Sequence, residues 1–298
     1  MSLVIAGYDY EMLWDSKMDD GIFAIADSAI TSHQGGRTIL NGFRKVYELE
    51  AKIWKPNFTP DGYFRNYLDI YSIHPFIVGF AGSTLTAQHI LNSITGHLKK
   101  LRISYVDREM QAPIKYNIVL PCEKNLLISP PIPTSYDETT FLDSDYENLV
   151  TGELIAEFVE HSVNHALKSA SSYKLSMKEF QSMYTDIFCG VWCPQKRQHE
   201  IYIYRMKSKR NEEGTLYAYT EKVYLNQNEI AVLGMRKDFE KEAQSIYDKA
   251  LKEEEKPSRI AYNFLNACID KVQDSGSKEI DRPISFRKLD KYKIKKIK

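Results

Sequence analysis

Ser2 follows the initiator Met1 directly. Removal of Met1 would leave a free α-amine beside the Ser2 hydroxyl. An unperturbed α-amine titrates at about 7.7–8.0, so part of it is neutral near pH 7 and can accept a proton. A hydroxyl activated by an N-terminal amine is a recognised nucleophile, suited to attack on a carbonyl. Two other groupings have chemistry to offer. His161 and His165 stand four residues apart on an expected helix with Glu157 and Glu160 nearby, a spacing that can hold a metal. The glutamate of a zinc-peptidase helix is missing from beside the first histidine, so a solvated helix face is the favoured reading. Cys189 and Cys193 are spaced C-x3-C in an apolar strand with no second pair to complete a zinc site, and read as core thiols. No phosphate-binding glycine loop and no G-x-S-x-G elbow occurs. No cofactor and no metal are expected.

The residues around these candidates are those of an ordinary globular chain. Its 298 residues carry 40 basic and 40 acidic side chains, 43% hydrophobic residues, 20 Tyr, 13 Phe and 3 Trp. Charge neutrality argues against a protein built to coat nucleic acid or an anionic membrane, and the aromatic content argues against disorder. Four cysteines are too few for a disulfide scaffold. No apolar run approaches the roughly 18 residues of a spanning helix, and Leu3–Gly7 lacks the basic leader of a signal peptide. A reducing cytoplasm is the expected location, with no membrane and no nucleic-acid partner.

Periodicity supplies the elements that must position Ser2. Leu3–Gly7 and Gly21–Asp27 read as strands of a hairpin whose loop, Asp15–Asp20, has turn chemistry. Further strands are expected at Phe43–Leu49 and Phe76–Phe80. Helical spacing begins after Ser83, with Ala87, Ile90, Leu91, Ile94, Leu98 and Leu101 on one face, and recurs over Asn148–Ser169. Strands return at 186–192, 200–206, 216–225 and 229–233. Two helices follow, carrying Phe239, Ala243, Ile246, Tyr247 and Ala250, then Ile260, Ala261, Phe264, Leu265 and Cys268, before a closing strand near 282–286. Strand blocks separated by helix pairs disfavour a doubly wound parallel sheet. The expected fold is α+β: a four-layer sandwich of two antiparallel sheets, each flanked by a helix pair, formed by one domain over residues 1–298. Residues 50–75 and 102–147 read as insertions. The lysine-rich tail 288–298 reads as a solvated end rather than an arm for an anionic partner.

Three segments add a resemblance. Ala24-Ile25-Ala26-Asp27-Ser28-Ala29-Ile30-Thr31, Gly42-Phe43-Arg44-Lys45-Val46 and Ile77-Val78-Gly79-Phe80-Ala81-Gly82-Ser83-Thr84 resemble, in order, signatures of proteasome β-type subunits, and especially the bacterial proteasome-like peptidase. The resemblance covers roughly residues 2–7, 21–49, 76–101 and, more loosely, 184–273. It implies the N-terminal nucleophile hydrolase fold and places Ser2 where the family has its nucleophilic threonine. Asp27 and Lys45 match the aspartate and catalytic lysine, and Gly79 the backbone N–H of the oxyanion site. A lysine there would lower the pKa of the amine and hydroxyl, and the aspartate would hold the lysine. The plainer readings are a strand cap for Asp27, a surface lysine for Lys45 and helix packing for Gly79–Gly82. The resemblance further implies a peptidase acting in a homo-oligomer on peptide or protein substrates, with an ATP-dependent unfoldase as a possible partner. Serine in place of threonine, and Gly234-Met235-Arg236 where the family has Gly-Ser-Gly, depart from the pattern and keep open a catalytically inactive scaffold or adaptor.

Overall fold

The computed structural model describes residues 2–13, 16–31, 38–61, 64–106, 115–121, 143–146, 149–168, 175–212, 214–291 and 293–297. Met1, residues 14–15, Cys122, Pro130-Pro131, Pro133 and most of residues 102–147 lie outside them. Along the chain come β1 (Leu3–Leu13), β2 (Ser16–Ala26), β3 (Ile30–Thr31), β4 (Thr38–Leu40), β5 (Val46–Phe58), β6 (Phe64–Gly82), α1 (Thr84–Leu98), β7 (Leu101–Val106) and β8 (Lys115–Val119). Then follow α2 (Gly152–Lys168), α3 (Met177–Met183), β9 (Thr185–Cys193), β10 (Gln198–Arg210), β11 (Leu216–Leu225), β12 (Ala231–Gly234), α4 (Arg236–Lys252), α5 (Pro257–Asp274), β13 (Ser285–Asp290) and β14 (Lys293–Lys296).

One sheet has the order β12-β1-β2-β13-β14, the other β11-β10-β9-β6-β5-β7-β8. Strand alternation dictates how they stack, because successive side chains leave opposite faces. From β1 and β2, Leu3, Ile5, Phe23 and Ile25 join an apolar layer with Phe239, Tyr247, Phe264 and Leu265 of α4 and α5. Their neighbours Val4, Ala6, Ile22, Ala24 and Ala26 face Val46, Ile77, Ala81 and Phe188 of the second sheet. The second sheet's other face, with Phe76, Val78, Phe80, Cys189 and Val191, packs on Ile90, Ile94, Ile155 and Val159 of α1 and α2. Three apolar layers thus separate four layers of backbone, the αββα sandwich expected from the element order. The pairing is antiparallel except between β5 and β7, which run parallel at Ile53–Leu101 and Trp54–Arg102.

Within residues 50–75, β5 and β6 carry one long ladder, paired from Val46–Gly79 out to Phe58–Phe64. Two expectations change. Asp15 lies outside the described residues, and residues 16–20 are strand rather than loop. Their ladder runs on to Leu13–Ser16, and the turn-like aspartates meet distant partners, Asp19 the His199 imidazole and Asp20 the Lys256 ammonium. The tail is not a loose end. Alternation buries Leu289 while β13 and β14 pair, and the Lys288 ammonium bonds Asp9 (3.0 Å) and Asp20. The sequence reading also missed α3, although its capping box, Ser176 with Glu179, was present.

The His161–His165 pair meets a third imidazole, His97 of α1, with ring centroids 5.5 and 5.1 Å away. The Ser162 hydroxyl donates to Phe158 O at 2.7 Å, so its contact of 2.9 Å with His97 Nδ1 is one it accepts. The proton is therefore on Nδ1. Among the described residues no three His, Cys, Asp or Glu side chains are arranged to hold a metal ion, and no helix is long and apolar enough to cross a membrane. Burial first, then the charges His165 and His161 would carry, and then Lys100, push His97 down to a pKa of about 4. The unfolded chain takes up this proton near the ordinary 6.5, the folded chain only near 4, so acidification across that interval favours unfolding. The Tm advantage of wild type over His97→Gln should therefore shrink between pH 7 and pH 4 in thermal melts. A constant difference would contradict this.

Candidate functional site

The first residues of β1 are fixed from both sides. On one edge, Met235 N donates to Ser2 O at 3.0 Å. A Cβ on Gly234 would lie 1.9 Å from that oxygen, so this close approach requires glycine. On the other edge, Asp27 N donates to Leu3 O (3.2 Å), and Leu3 N donates to Asp27 Oδ1 at 2.7 Å. Strand alternation puts Ser2 on the face of Val4 and Ala6, toward the second sheet; the residue is 7% exposed.

Asp27 comes at the end of β2, where the apolar strand gives way to a turn, and its carboxylate gathers four hydrogen bonds. Besides Leu3 N, it accepts from Ala29 N (3.0 Å) and from Lys45 Nζ at both oxygens, 2.8 and 2.7 Å. Asp27 is fully buried and Lys45 is 2% exposed. Lys45 is delivered by the segment just before β5, pinned where Phe43 N donates to Ser28 O and Phe80 N donates to Lys45 O, each at 3.0 Å. Burial pulls the Lys45 pKa below its ordinary value, opposed by the charge and hydrogen bonds of Asp27. The ammonium therefore gives up its proton more readily than a surface lysine. Ser2, Asp27 and Lys45, distant in sequence, are thus linked within one residue of the start of β1.

Gly79 stands apart from this group. Phe80 N–H points to the β5 edge, at Lys45 O, and Ser83 N–H to the β9 edge, at Tyr184 O. Alternation then turns the Gly79 amide toward β9, opposite Phe188, within the ladder. A Cβ on Gly79 would fall 2.1 Å from the Phe188 ring, so its glycine is explained by packing between the sheets. Gly82, two residues beyond Phe80, is the last residue of β6. Its φ of +129° and the Tyr184 carbonyl, 2.2 Å from where a Cβ would sit, both demand glycine. The signal for Gly82 was in the same Gly-Phe-Ala-Gly run.

Sequence reasoning also missed Asp186, at the start of β9 and opposite Ala81. Its carboxylate accepts from Tyr184 OH (2.9 Å) and Arg205 (3.3 Å). Burial raises its pKa, with Arg205 opposing. Cys189 and Cys193 are buried strand residues, and burial pushes the Cys189 thiol up.

No family model matches the chain, and no curated protein matches it. Among solved structures, it is similar to the Anbu (Gly-1) mutant from Hyphomicrobium sp. strain MC1, at 13% identity and a TM-score of 0.48, over 100% of this chain and 87% of that one. It is also similar to Anbu, an ancestral beta-subunit, from Yersinia bercovieri, at 12% identity and a TM-score of 0.46, over 98% and 82% of the two chains. The four-layer arrangement rests on the strand order and layers described above.

Breaking a buried, hydrogen-bonded pair by removing one partner typically costs about 3–5 kcal/mol. Asp27→Ala should lose about that much in denaturant melts, because Lys45, Leu3 N and Ala29 N all lose their acceptor. Gly79→Ala should cost about 1–3 kcal/mol through overpacking against Phe188. A neutral Asp27→Ala would mean that the carboxylate does not organise this end of the sheet.

Proposed function

We propose that the protein is a proteasome-like peptidase in which Ser2, with its α-amine freed by removal of Met1, is the nucleophile. The observation carrying this reading is the buried Asp27 carboxylate, which grips both the Leu3 amide and the Lys45 ammonium and so couples the residue after Ser2 to a charged lysine. In the reaction, Ser2 Oγ attacks the scissile carbonyl and its proton passes to the α-amine. Lys45 favours the neutral amine and eases loss of the hydroxyl proton by its positive charge. The developing oxyanion accepts a backbone N–H. Gly82 is the donor proposed here rather than Gly79, which lies within the ladder opposite Phe188, and such donors are worth about 3–4 kcal/mol. Collapse of the tetrahedral intermediate expels the amine of the departing peptide, which takes the proton back from the α-ammonium, and leaves an ester on Ser2. Water, deprotonated by the α-amine, then hydrolyses that ester.

The proposal includes a homo-oligomeric assembly acting on peptides or proteins in the cytoplasm, with an ATP-dependent unfoldase as the kind of partner that would feed it. One observation favours the inactive scaffold instead: the residue touching the Ser2 carbonyl is Met235, which offers only its amide and no hydroxyl.

Intact-mass measurement after treatment with a peptide epoxyketone separates the two. The active enzyme should lack Met1 and gain one inhibitor mass, and Ser2→Ala should gain none. Retention of Met1 on protein that cleaves peptides would contradict the proposal.

A further inference from the structure

Two buried serine hydroxyls, those of Ser28 and Ser285, have no hydrogen-bond partner. Buried hydroxyls are nearly always paired, because an unpaired one forfeits its hydration for nothing; an alanine would be the more stable choice. Ser28 is 3% exposed and immediately follows Asp27. Its main chain is held on both sides: its N–H donates to Asp281 O at 3.2 Å and its carbonyl accepts from Phe43 N at 3.0 Å.

The register decides what this hydroxyl faces. β1 and β2 pair Val4 with Ala26, and the Asp27–Leu3 bond carries that pairing one residue on. Asp27 N–H points to β1 and Ser28 N–H to the opposite edge, so the amides still alternate one residue past the end of β2. Counting the register on by one residue sets Ser28 across from Ser2, on the inner face that carries Ala26. Directly opposed residues on one face have Cβ atoms about 4.5–5.5 Å apart, within reach of a hydroxyl–hydroxyl bond. Ser285 pairs with Ala26 from β13, on the side of β2 away from β1, which leaves it one strand further from Ser2. Met235, at the other edge of Ser2, brings no hydroxyl.

We propose that Ser28 is a positioning residue for Ser2: its hydroxyl, unpaired in the resting fold, turns in the mature enzyme to bond the Ser2 hydroxyl and fixes the direction in which Oγ attacks. This rests on Ser2 being the nucleophile. It assigns a use to a group that costs stability in the resting fold, and it places that support on β2, beside Asp27.

The test is the pre-steady-state burst of p-nitrophenolate from a blocked peptide p-nitrophenyl ester, measured with thermal melts on the same samples. Ser28→Ala should slow the burst tenfold or more while Tm stays level or rises. Ser285→Ala should show the same Tm behaviour with an unchanged burst. Ser28→Thr should retain most of the rate and Ser28→Val, of the same shape, should not; this pair remains decisive even if the alanine variant folds poorly. A wild-type enzyme without a burst would overturn the nucleophile reading and this inference with it. A wild-type burst matched by Ser28→Ala or Ser28→Val would overturn the role of Ser28 alone.

Discussion

A single carboxylate organises the start of this chain. Asp27 accepts from Leu3 N, Ala29 N and twice from Lys45 Nζ, with all of these groups out of water. Burying an ion pair is expensive, and two apolar residues of similar size would often be at least as stable. The pair does something they could not. It fixes β1 to the end of β2 and to the segment before β5, so that strands from both sheets meet at one point. The four-layer stack is what keeps that point dry, with Val4, Ala26, Val46 and Ala81 closing the space between the sheets beneath it.

The opposite edge of β1 is fixed by main chain: Leu3 pairs with Gly234, and the next residue, Met235, donates to the Ser2 carbonyl. Ser2 is therefore suspended between β12 and β2, with its side chain left to face the gap between the sheets. An N-terminal residue is ordinarily the loosest part of a domain. Here the residues just past both neighbouring strands spend hydrogen bonds on Ser2 and Leu3, which suits the proposed attack along one direction.

Much of this was legible in the residues. Helical spacing located α1, α2, α4 and α5, because each has a continuous apolar stripe: Ala87, Ile90, Leu91, Ile94 and Leu98 are all buried. The failures have physical causes. The tail was misread because six of its eleven residues are lysine, although alternation with Leu289 and Ile294 is what makes it a hairpin. The Asp19-Asp20 pair has turn composition, yet Asp19 meets the imidazole of His199 and Asp20 the ammonium groups of Lys256 and Lys288, all from distant elements. Asp27 and Lys45 could be named from motifs, but their contact could not. Gly79 and Gly82 were indistinguishable in sequence; the ladder separates them, with Gly79 opposite Phe188 within it and Gly82 the last residue of β6. Asp186 and Ser28 carry no local signature, since their importance arises from cross-strand register.

The account's central claim is that Lys45, held by Asp27, tunes the amine of Ser2 for proton transfer. Its most direct test is an NMR titration of the Ser2 α-amine, labelled with nitrogen-15, in the mature wild-type protein and in Lys45→Met. The account predicts a wild-type pKa below the ordinary range of about 7.7–8.0, moving upward when the lysine charge is removed. An amine that titrates within that range in both proteins would contradict it.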